Sequence, residues 1–312
     1  MRHILYLLSV TTLLTACTQD ELTDNGQGTP LPEPVPLELT TGNLYGAVVM
    51  PSTRGTVDGN WWDAHNVAVQ VYGKVKKYHV VPDGNNASLY CPDIAIEDTD
   101  FWWTRNNERK AVTAWYPYRE ACPETWQVST VQTAATIANE DLMYGYVNAM
   151  TRDNPSITFQ HLLAKVNINL VRSEYLDDAQ RVNVSLTNQY QTAVFTVGPY
   201  NIPLINGTGS SNVNITPYRL PTPRVNYYAS YLALVIPLEQ VASTKSHISI
   251  NVDGTNYQCK ISDILQTSIP FTSGYEYTLD ITVDAKGLQV SVKESIGWSE
   301  TDSSGSGSVT LP

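Results

Sequence analysis

The second half of the chain alternates apolar and polar residues in one segment after another, and this period of two constrains the fold most. The dipeptides Asp253-Gly254 and Lys286-Gly287 each stand between two alternating runs. An Asp-Gly pair in that setting predicts a β-hairpin. Seven short segments at this spacing are typical of a β-sandwich. They are residues 156–172, 180–188, 192–198, 231–238, 247–262, 275–284 and 288–295.

The first of these segments predicts part of the core. Its apolar residues recur at every second position, with a change of parity at His161-Leu162 that indicates a bend or bulge. We expect them to form the opening strands of the second domain and to be buried. The positions are Ile157, Phe159, Leu163, Val166, Ile168 and Leu170.

The first half carries the same pattern more loosely, in residues 66–73, 74–81, 109–118 and 135–147. Helical periodicity is confined to the short segment 174–180. With 312 residues, of which 42% are hydrophobic, the chain is long enough for two domains, because domains cluster at roughly 100–150 residues. The turn formers and the proline of TRDNP, at 151–155, favour a boundary there. We predict an all-β fold with one sandwich at 37–153 and a second at 154–312, which ends in a flexible tail at 299–312.

The N-terminus has the features of an export signal. Basic residues precede an apolar run from Ile4 to Leu14, which is shorter than the ~20 residues of a membrane-spanning helix. The run ends in LLTAC, which resembles a bacterial lipobox. We expect residues 1–16 to be a cleaved signal peptide and Cys17 to carry the lipid; an ordinary signal peptide with an incidental cysteine is the alternative. Residues 17–36, polar and then rich in proline, are expected to form a flexible tether next to the lipid.

Charge and motif content exclude several classes of function. The net charge of −11 and the pI near 4.8 argue against nucleic-acid binding, which needs a basic surface. Four histidines beyond the signal lie in four separate segments, without a nucleophile elbow, a zinc motif or a phosphate loop beside them. Asp83-Gly84-Asn85 starts like a calcium loop but lacks the rest of it, and a hairpin turn is the better interpretation. The sequence therefore predicts no catalytic residues, no metal and no cofactor.

Two cysteines form a candidate pair. Cys91 and Cys122 each precede a proline in the first half of the chain, and an exported protein meets an oxidising compartment in which disulfides form. A Cys91–Cys122 disulfide is one interpretation, and isolated, partly buried thiols are the other.

Adjacent tryptophans occur in two polar loops, at Trp61-Trp62 and Trp102-Trp103. Exposed rings there would stack on sugar faces, which would suit a surface lipoprotein that binds glycans and does not polymerise. Because neighbouring strand residues face opposite sides of a sheet, the favoured interpretation is that one tryptophan of each pair faces the core.

Several motifs follow one another in order over residues 14–298: LTAC, STRG followed by WWDAHNVAVQVYG, AWYPY, DLMYGY, ITFQHLLAKVNINL, GYEYTLDITV and a late IGW. Together they resemble the fimbrillin (Mfa-like) family of Bacteroidales, the lipoprotein subunits of type V pili. The resemblance implies two tandem transthyretin-like β-sandwich domains of seven strands each. It also implies a structural or accessory subunit of a fimbria that serves cell adhesion, not an enzyme.

The resemblance gives a role to the lone arginine of VVMPSTRGTV, at 48–57. In the family, a trypsin-like, arginine-specific protease cuts the precursor after an arginine that follows the first strand. Arg54 matches that position, so the cut would fall before Gly55, and residues 37–50 would be the removable first strand. The edge left behind would accept a strand from another pilin subunit. The protein would thus sit in the outer membrane through Cys17 and enter the fimbrium after processing; an uncut surface arginine is the alternative.

Overall fold

The computed structural model describes residues 28–42, 61, 65–83, 86–176, 181–209, 212–237, 246–265 and 271–297. These residues form 22 strands in five sheets, and the prediction of an all-β fold is confirmed. In chain order the strands are β1 (Pro30–Pro36), β2 (Leu39–Thr41), β3 (Asn66–Val71), β4 (Lys74–Asp83), β5 (Asn86–Tyr90), β6 (Trp102–Arg105), β7 (Arg109–Tyr116), β8 (Thr125–Gln127), β9 (Met143–Thr151), β10 (Ser156–Ile157), β11 (Gln160–His161), β12 (Ala164–Val171), β13 (Val182–Gln189), β14 (Thr192–Val197), β15 (Pro203–Thr208), β16 (Val213–Ile215), β17 (Tyr218–Arg219), β18 (Tyr227–Val235), β19 (His247–Val252), β20 (Thr255–Lys260), β21 (Tyr275–Asp284) and β22 (Gly287–Gly297).

Short helical elements accompany the strands. Helix α1 (Ala134–Glu140) begins at a capping box formed by Thr133 and Thr136, and helix α2 (Ile261–Leu265) follows β20. Single 3₁₀ turns lie at Thr99–Phe101 and Pro199–Asn201. Among the described residues no helix is long and apolar enough to cross a membrane.

The largest sheet is closed by a segment of six residues. Its eight strands have the order β10-β2-β5-β4-β3-β7-β9-β11. The two outer strands are consecutive in the chain, because only Thr158 and Phe159 separate β10 from β11. The sheet must therefore curl until its two edges are bridged by residues 156–161, which we call the closing segment.

The closed sheet surrounds the first hydrophobic core. Alternate residues of its strands point inward, as the period of two requires. Loop and strand residues from 101 to 103 add two further aromatic rings to the same cluster. Its largest fully buried members are Leu37, Leu39, Tyr78, Leu89, Phe101 and Trp103.

Two further sheets enclose the second core. One has the order β17-β18-β12-β21-β22 and the other the order β16-β13-β19-β20, and both contribute to one apolar cluster. The predicted hairpin at Asp253-Gly254 is confirmed as the turn between β19 and β20. Strands β21 and β22 form a hairpin at the second dipeptide, Lys286-Gly287, where Asp284 lies opposite Gly287 and the residues between them make the turn. Asp253 and Gly254 have φ of 47° and 91°, the left-handed backbone that such two-residue turns need.

The expected domain boundary at 151–155 does not separate the sheets. Strand β9 before it and strands β10 and β11 after it belong to the same eight-stranded sheet. The turn formers make a tight turn there, with a bridge between Thr151 and Asn154. The fifth sheet, β15-β14-β8, pairs β8 of the first half with β14 of the second. Local turn chemistry therefore marked a turn within a sheet and not a division between sheets.

The predicted core positions of the segment 156–172 are all buried. Ile157 and Phe159, however, belong to the first core, while Leu163, Val166 and Ile168 belong to the second. The bend expected at His161-Leu162 is where the chain passes from one core to the other.

Residues 30–36 of the expected tether form a strand instead. Strand β1 pairs antiparallel with β6. Prolines occupy positions 30, 32, 34 and 36, so one side of the strand lacks N–H donors while the residues between keep theirs. Such a strand pairs on one side only, which is the position that proline tolerates in a sheet.

The described helical structure does not lie where the sequence pattern indicated it. Residues 174–176 form a turn with a bridge between Ser173 and Leu176, and residues 177–180 lie outside the described residues. Helix α1 instead occupies part of the run 135–147 that was expected to be a strand.

Candidate functional site

The described part of the expected removable strand lies inside the closed sheet. Strand β2 pairs antiparallel with β5, with Leu39 opposite Leu89, and parallel with β10, with Thr41 opposite Ile157. It therefore has a neighbour on each side. Residues 43–50, the rest of the expected strand, lie outside the described residues.

Side chains of this strand alternate between core and solvent. Leu37, Leu39 and Thr41 are 0%, 1% and 2% exposed, while Glu38 and Thr40 face outward. Burying a leucine side chain contributes about 1.5–3 kcal/mol. The two leucines thus hold the segment in place mainly through apolar burial.

Three hydrogen bonds to backbone groups of the same segment hold it in place. The Leu37 amide donates to the Phe101 carbonyl over 2.8 Å, and the Thr40 amide donates to the Pro155 carbonyl over 2.9 Å. The Leu37 carbonyl accepts a hydrogen bond from the Tyr78 hydroxyl over 2.8 Å. Burial raises the pKa of Tyr78 far above its usual value, so the phenol remains a donor at any physiological pH.

The place that β2 occupies is a groove with an apolar floor. Tyr78, Leu89, Phe101, Trp103 and Ile157 belong to the same cluster as Leu37 and Leu39, and none is more than 1% exposed. A cleft of about 330 Å³ opens at the C-terminal end of β2, between β5 and Ser156. Without β2, the sheet would be open between β5 and β10 above these side chains.

Both the sequence and the fold are similar to those of known proteins. Residues 27–297 match the family described as fimbrillin-like. The chain belongs to the fimbrillin-like family. Its fold is similar to that of a provisionally named cell adhesion protein from Bacteroides uniformis ATCC 8492, with 20% identity, 86% of this chain and 100% of that chain covered, and a TM-score of 0.63. A second protein so named, from Bacteroides ovatus ATCC 8483, has 14% identity, 86% and 100% coverage and a TM-score of 0.64. No curated protein matches the sequence significantly.

Several predicted site residues of this fimbrillin-like chain lie outside the described residues. They are the lipidation site Cys17, the processing site Arg54 with Gly55, and Trp62. The signal peptide 1–16 and the tail 299–312 lie outside them as well.

Of the two interpretations of Cys91 and Cys122, the structure agrees with separate thiols and not with a disulfide. Cys91, Cys122 and Cys259 are all free. Cys91 packs against the first core and Cys122 against the second, so the two thiols of the expected pair sit against different clusters. Burial raises the pKa of all three thiols, that of Cys122 to about 11.

One tryptophan of each pair is buried, as the favoured interpretation predicted. Trp103 is buried and Trp102 is half-buried, with its indole N–H donating to the Ala95 carbonyl over 2.9 Å. Trp61 is buried against Tyr116 and Phe159, with ring centroids 6.0 and 5.3 Å away. Trp61 and Trp103 therefore serve the core, and neither offers a free ring face to a glycan.

Buried polar residues between β12 and β21 were missed by the sequence analysis. Lys165 Nζ lies 3.1 Å from Glu276 Oε1, which also accepts a hydrogen bond from the Asn167 amide over 2.6 Å. Asn169 donates to Asp280 over 3.1 Å. These positions alternate with core residues and so should face solvent, yet all five are buried. Their pairing across parallel neighbours stabilises the register of the sheet.

The described residues contain no candidate metal site. Within the ranges that the structure describes, no group of three or more His, Cys, Asp or Glu side chains lies close enough together to hold an ion.

Proposed function

We propose that this protein is a structural or accessory subunit of a cell-surface fimbria. It is exported as an outer-membrane lipoprotein through Cys17 and cut after Arg54 by a trypsin-like, arginine-specific protease. It then assembles by accepting a strand of another pilin subunit in place of β2. The observation that carries this proposal is the position of β2: a short, buried strand between β5 and β10, shortly before the arginine.

Removal of β2 would create a template for another chain. The outer edge of β5 would present unpaired N–H and C=O groups over an apolar groove, and such edges recruit extended segments by strand addition. An incoming strand would need apolar side chains at the places of Leu37 and Leu39, and a small side chain at the place of Thr41.

The released piece would be larger than one strand. A cut after Arg54 separates β1 as well as β2 from the body, because both precede the cut. Arg105 Nη1 donates to the Gly28 carbonyl over 3.3 Å, and the Asn106 amide donates to the Thr29 carbonyl over 2.9 Å. Since one cut peptide bond breaks none of these contacts, release should be slow until an incoming strand competes for the groove.

The test is the fate of the arginine variants on the cell surface. Epitope-tagged wild type, Arg54→Ala and Arg152→Ala are expressed in the native host, and sheared fimbriae are separated from membranes. Arg152 is the matched control, because it lies in the turn after β9. We expect Gly55 as the N-terminal residue of wild type and Arg152→Ala in fimbriae, and an uncut, membrane-bound Arg54→Ala. Equal entry of all three proteins into fimbriae would refute processing at Arg54.

Anchoring has a separate test. Cys17→Ser should stall as a precursor or leave the membrane fraction, because two acyl chains give stable anchoring and a polar segment gives none. Unchanged membrane retention of this variant would overturn the lipoprotein part of the proposal while leaving the fimbrial part in place.

A further inference from the structure

A second cleft shares no lining residue with the cleft at the end of β2 and is built by both halves of the chain. It has a volume of about 470 Å³ and lies between β9, the closing segment and the loop that joins β14 to β15. Its principal side chains are those of Tyr146, Thr158, Gln160, Tyr200, Asn201 and Ile202. None of its nine lining residues is charged.

The loop of this cleft holds an aromatic ring in solvent at a cost in backbone energy. Tyr200 is 92% exposed, and Tyr200 and Asn201 both have positive φ, 61° and 59°. Such a backbone is uncommon for residues other than glycine and concentrates at binding sites. The Gly198 amide closes the loop by donating to the Ile202 carbonyl over 2.8 Å. A loop that served only to connect two strands would not need an exposed tyrosine in this conformation.

The opposite wall of the cleft is rigid. Residues 157–160 of the closing segment alternate: Ile157 and Phe159 are buried in the first core, and Thr158 and Gln160 are exposed. At Gly145 of β9, an added Cβ would come within 2.6 Å of the Thr158 carbonyl oxygen. The closing segment therefore lies directly on β9, and its position fixes the side chains of Thr158 and Gln160 at the cleft.

We propose that this cleft binds a neutral sugar residue of a glycan. The tyrosine rings offer flat apolar surfaces to the C–H faces of a sugar, and ring edges with hydroxyl groups to its polar rim. The amides of Gln160 and Asn201 and the hydroxyl of Thr158 supply both donors and acceptors for sugar hydroxyls. In the described part of the chain, the side chains of these three residues form no hydrogen bond to another protein group, so they are available to a ligand.

The lining of the cleft has no charged side chain and few aliphatic ones, and this composition favours a neutral sugar over other ligand classes. A phosphate, sulfate or carboxylate ligand needs a cationic partner, and the lining provides none. An apolar ligand needs a predominantly apolar pocket, whereas Ile202 and Pro203 are the aliphatic members of this one. This inference does not depend on strand exchange, since no residue of the cleft belongs to β2 or to the segment before Arg54.

The test uses the full chain, purified in detergent, on an array of immobilised neutral and acidic glycans, followed by calorimetric titration with the best-bound glycan. Tyr200→Ala and Gln160→Ala remove one contact each. The matched control is Tyr72→Ala, because Tyr72 is also exposed (63%) and also has a positive φ (49°), but lies in the β3–β4 turn. We expect binding to neutral glycans that Tyr200→Ala weakens by about tenfold, equivalent to about 1.4 kcal/mol, and that Tyr72→Ala leaves unchanged.

Three results would overturn the proposal: no glycan bound, acidic glycans alone bound, or equal affinity of Tyr200→Ala and wild type. Circular dichroism of each variant confirms that its fold is intact before binding is compared. The Arg54→Ala protein should bind the same glycans as wild type, so a failure of the processing proposal and a failure of this one give different results.

Discussion

The hydroxyl of Tyr78 donates a hydrogen bond to the carbonyl oxygen of Leu37 over 2.8 Å, inside the closed sheet. Tyr78 belongs to β4, and β5 lies between β4 and β2 in the strand order. A side chain therefore ties the N-terminal segment to a strand with which its backbone does not pair. This bond therefore holds the segment from the core side of the sheet.

Replacing Tyr78 by phenylalanine removes this bond and keeps the ring. We expect a loss of about 1 kcal/mol in the free energy of unfolding, the net value of a typical hydrogen bond, measured by urea denaturation. Tyr72→Phe is the control, since its hydroxyl makes a longer, exposed contact of 3.4 Å with the Arg109 carbonyl. A Tyr78→Phe protein as stable as the control would show that the bond contributes nothing.

Truncating Ile168 to alanine tests the second core. Ile168 is completely buried on β12, and large-to-small changes at such sites cost about 2–5 kcal/mol. Val194→Ala provides the comparison, because Val194 is exposed on β14 and surface changes stay within about 0.5 kcal/mol. Thermal or urea unfolding of both variants gives the difference, and a loss at Ile168 as small as that at Val194 would place Ile168 outside the core.

The ion pair of Lys165 and Glu276 should show strong coupling in a double-mutant cycle. Removing one partner of a buried pair leaves an uncompensated charge and costs about 3–5 kcal/mol. We expect Lys165→Met to lose stability on that scale, and the double variant Lys165→Met/Glu276→Gln to recover much of it. Losses that simply add up in the double variant would mean that the two side chains do not interact.

Cys122 gives a prediction about pH. Burial raises the pKa of its thiol from 9.0 to about 11 in the folded protein, so above pH 9 the unfolded chain loses a proton that the folded chain keeps. The stabilisation is therefore complete below about pH 9 and is lost as the pH rises through about 11. In urea denaturation, the stability of Cys122→Ala should fall less between pH 8 and pH 10.5 than that of wild type. Identical pH profiles would show that the thiol is not buried in solution.

Local sequence patterns predicted the elements whose partners are near in the chain. The hairpin at Asp253-Gly254 follows from turn residues that adopt a positive φ, and the buried faces follow from alternation. The Trp102-Trp103 pair shows the limit of this reasoning. Alternation implies that one ring faces the core, but which ring it is depends on the pairing of β6 with β1, far away in sequence.

Features set by distant pairing were not predictable in the same way. Alternate prolines in 30–36 are compatible with an extended linker and with an edge strand, and the presence of β6 decides between them. Alternation at Ile157 and Phe159 predicts that these side chains of the closing segment are buried, but the pairing of the segment with β2 and β9 depends on strands elsewhere in the chain. The different surroundings of Cys91 and Cys122 likewise depend on which core each loop meets.

The closing segment also determines how the protein responds to a pulling force. It joins β2 through two residue pairs and β9 through two more, whereas β3 meets β4 over six pairs. A closed sheet under tension opens first between the strands that share the fewest residue pairs. We therefore expect tension on the N-terminal segment to separate β2 from β10 before the longer strand pairings open, because local opening costs far less than unfolding the whole domain. The mechanical strength of the closed sheet is thus set by its shortest strand pairing, the two residue pairs between β2 and β10.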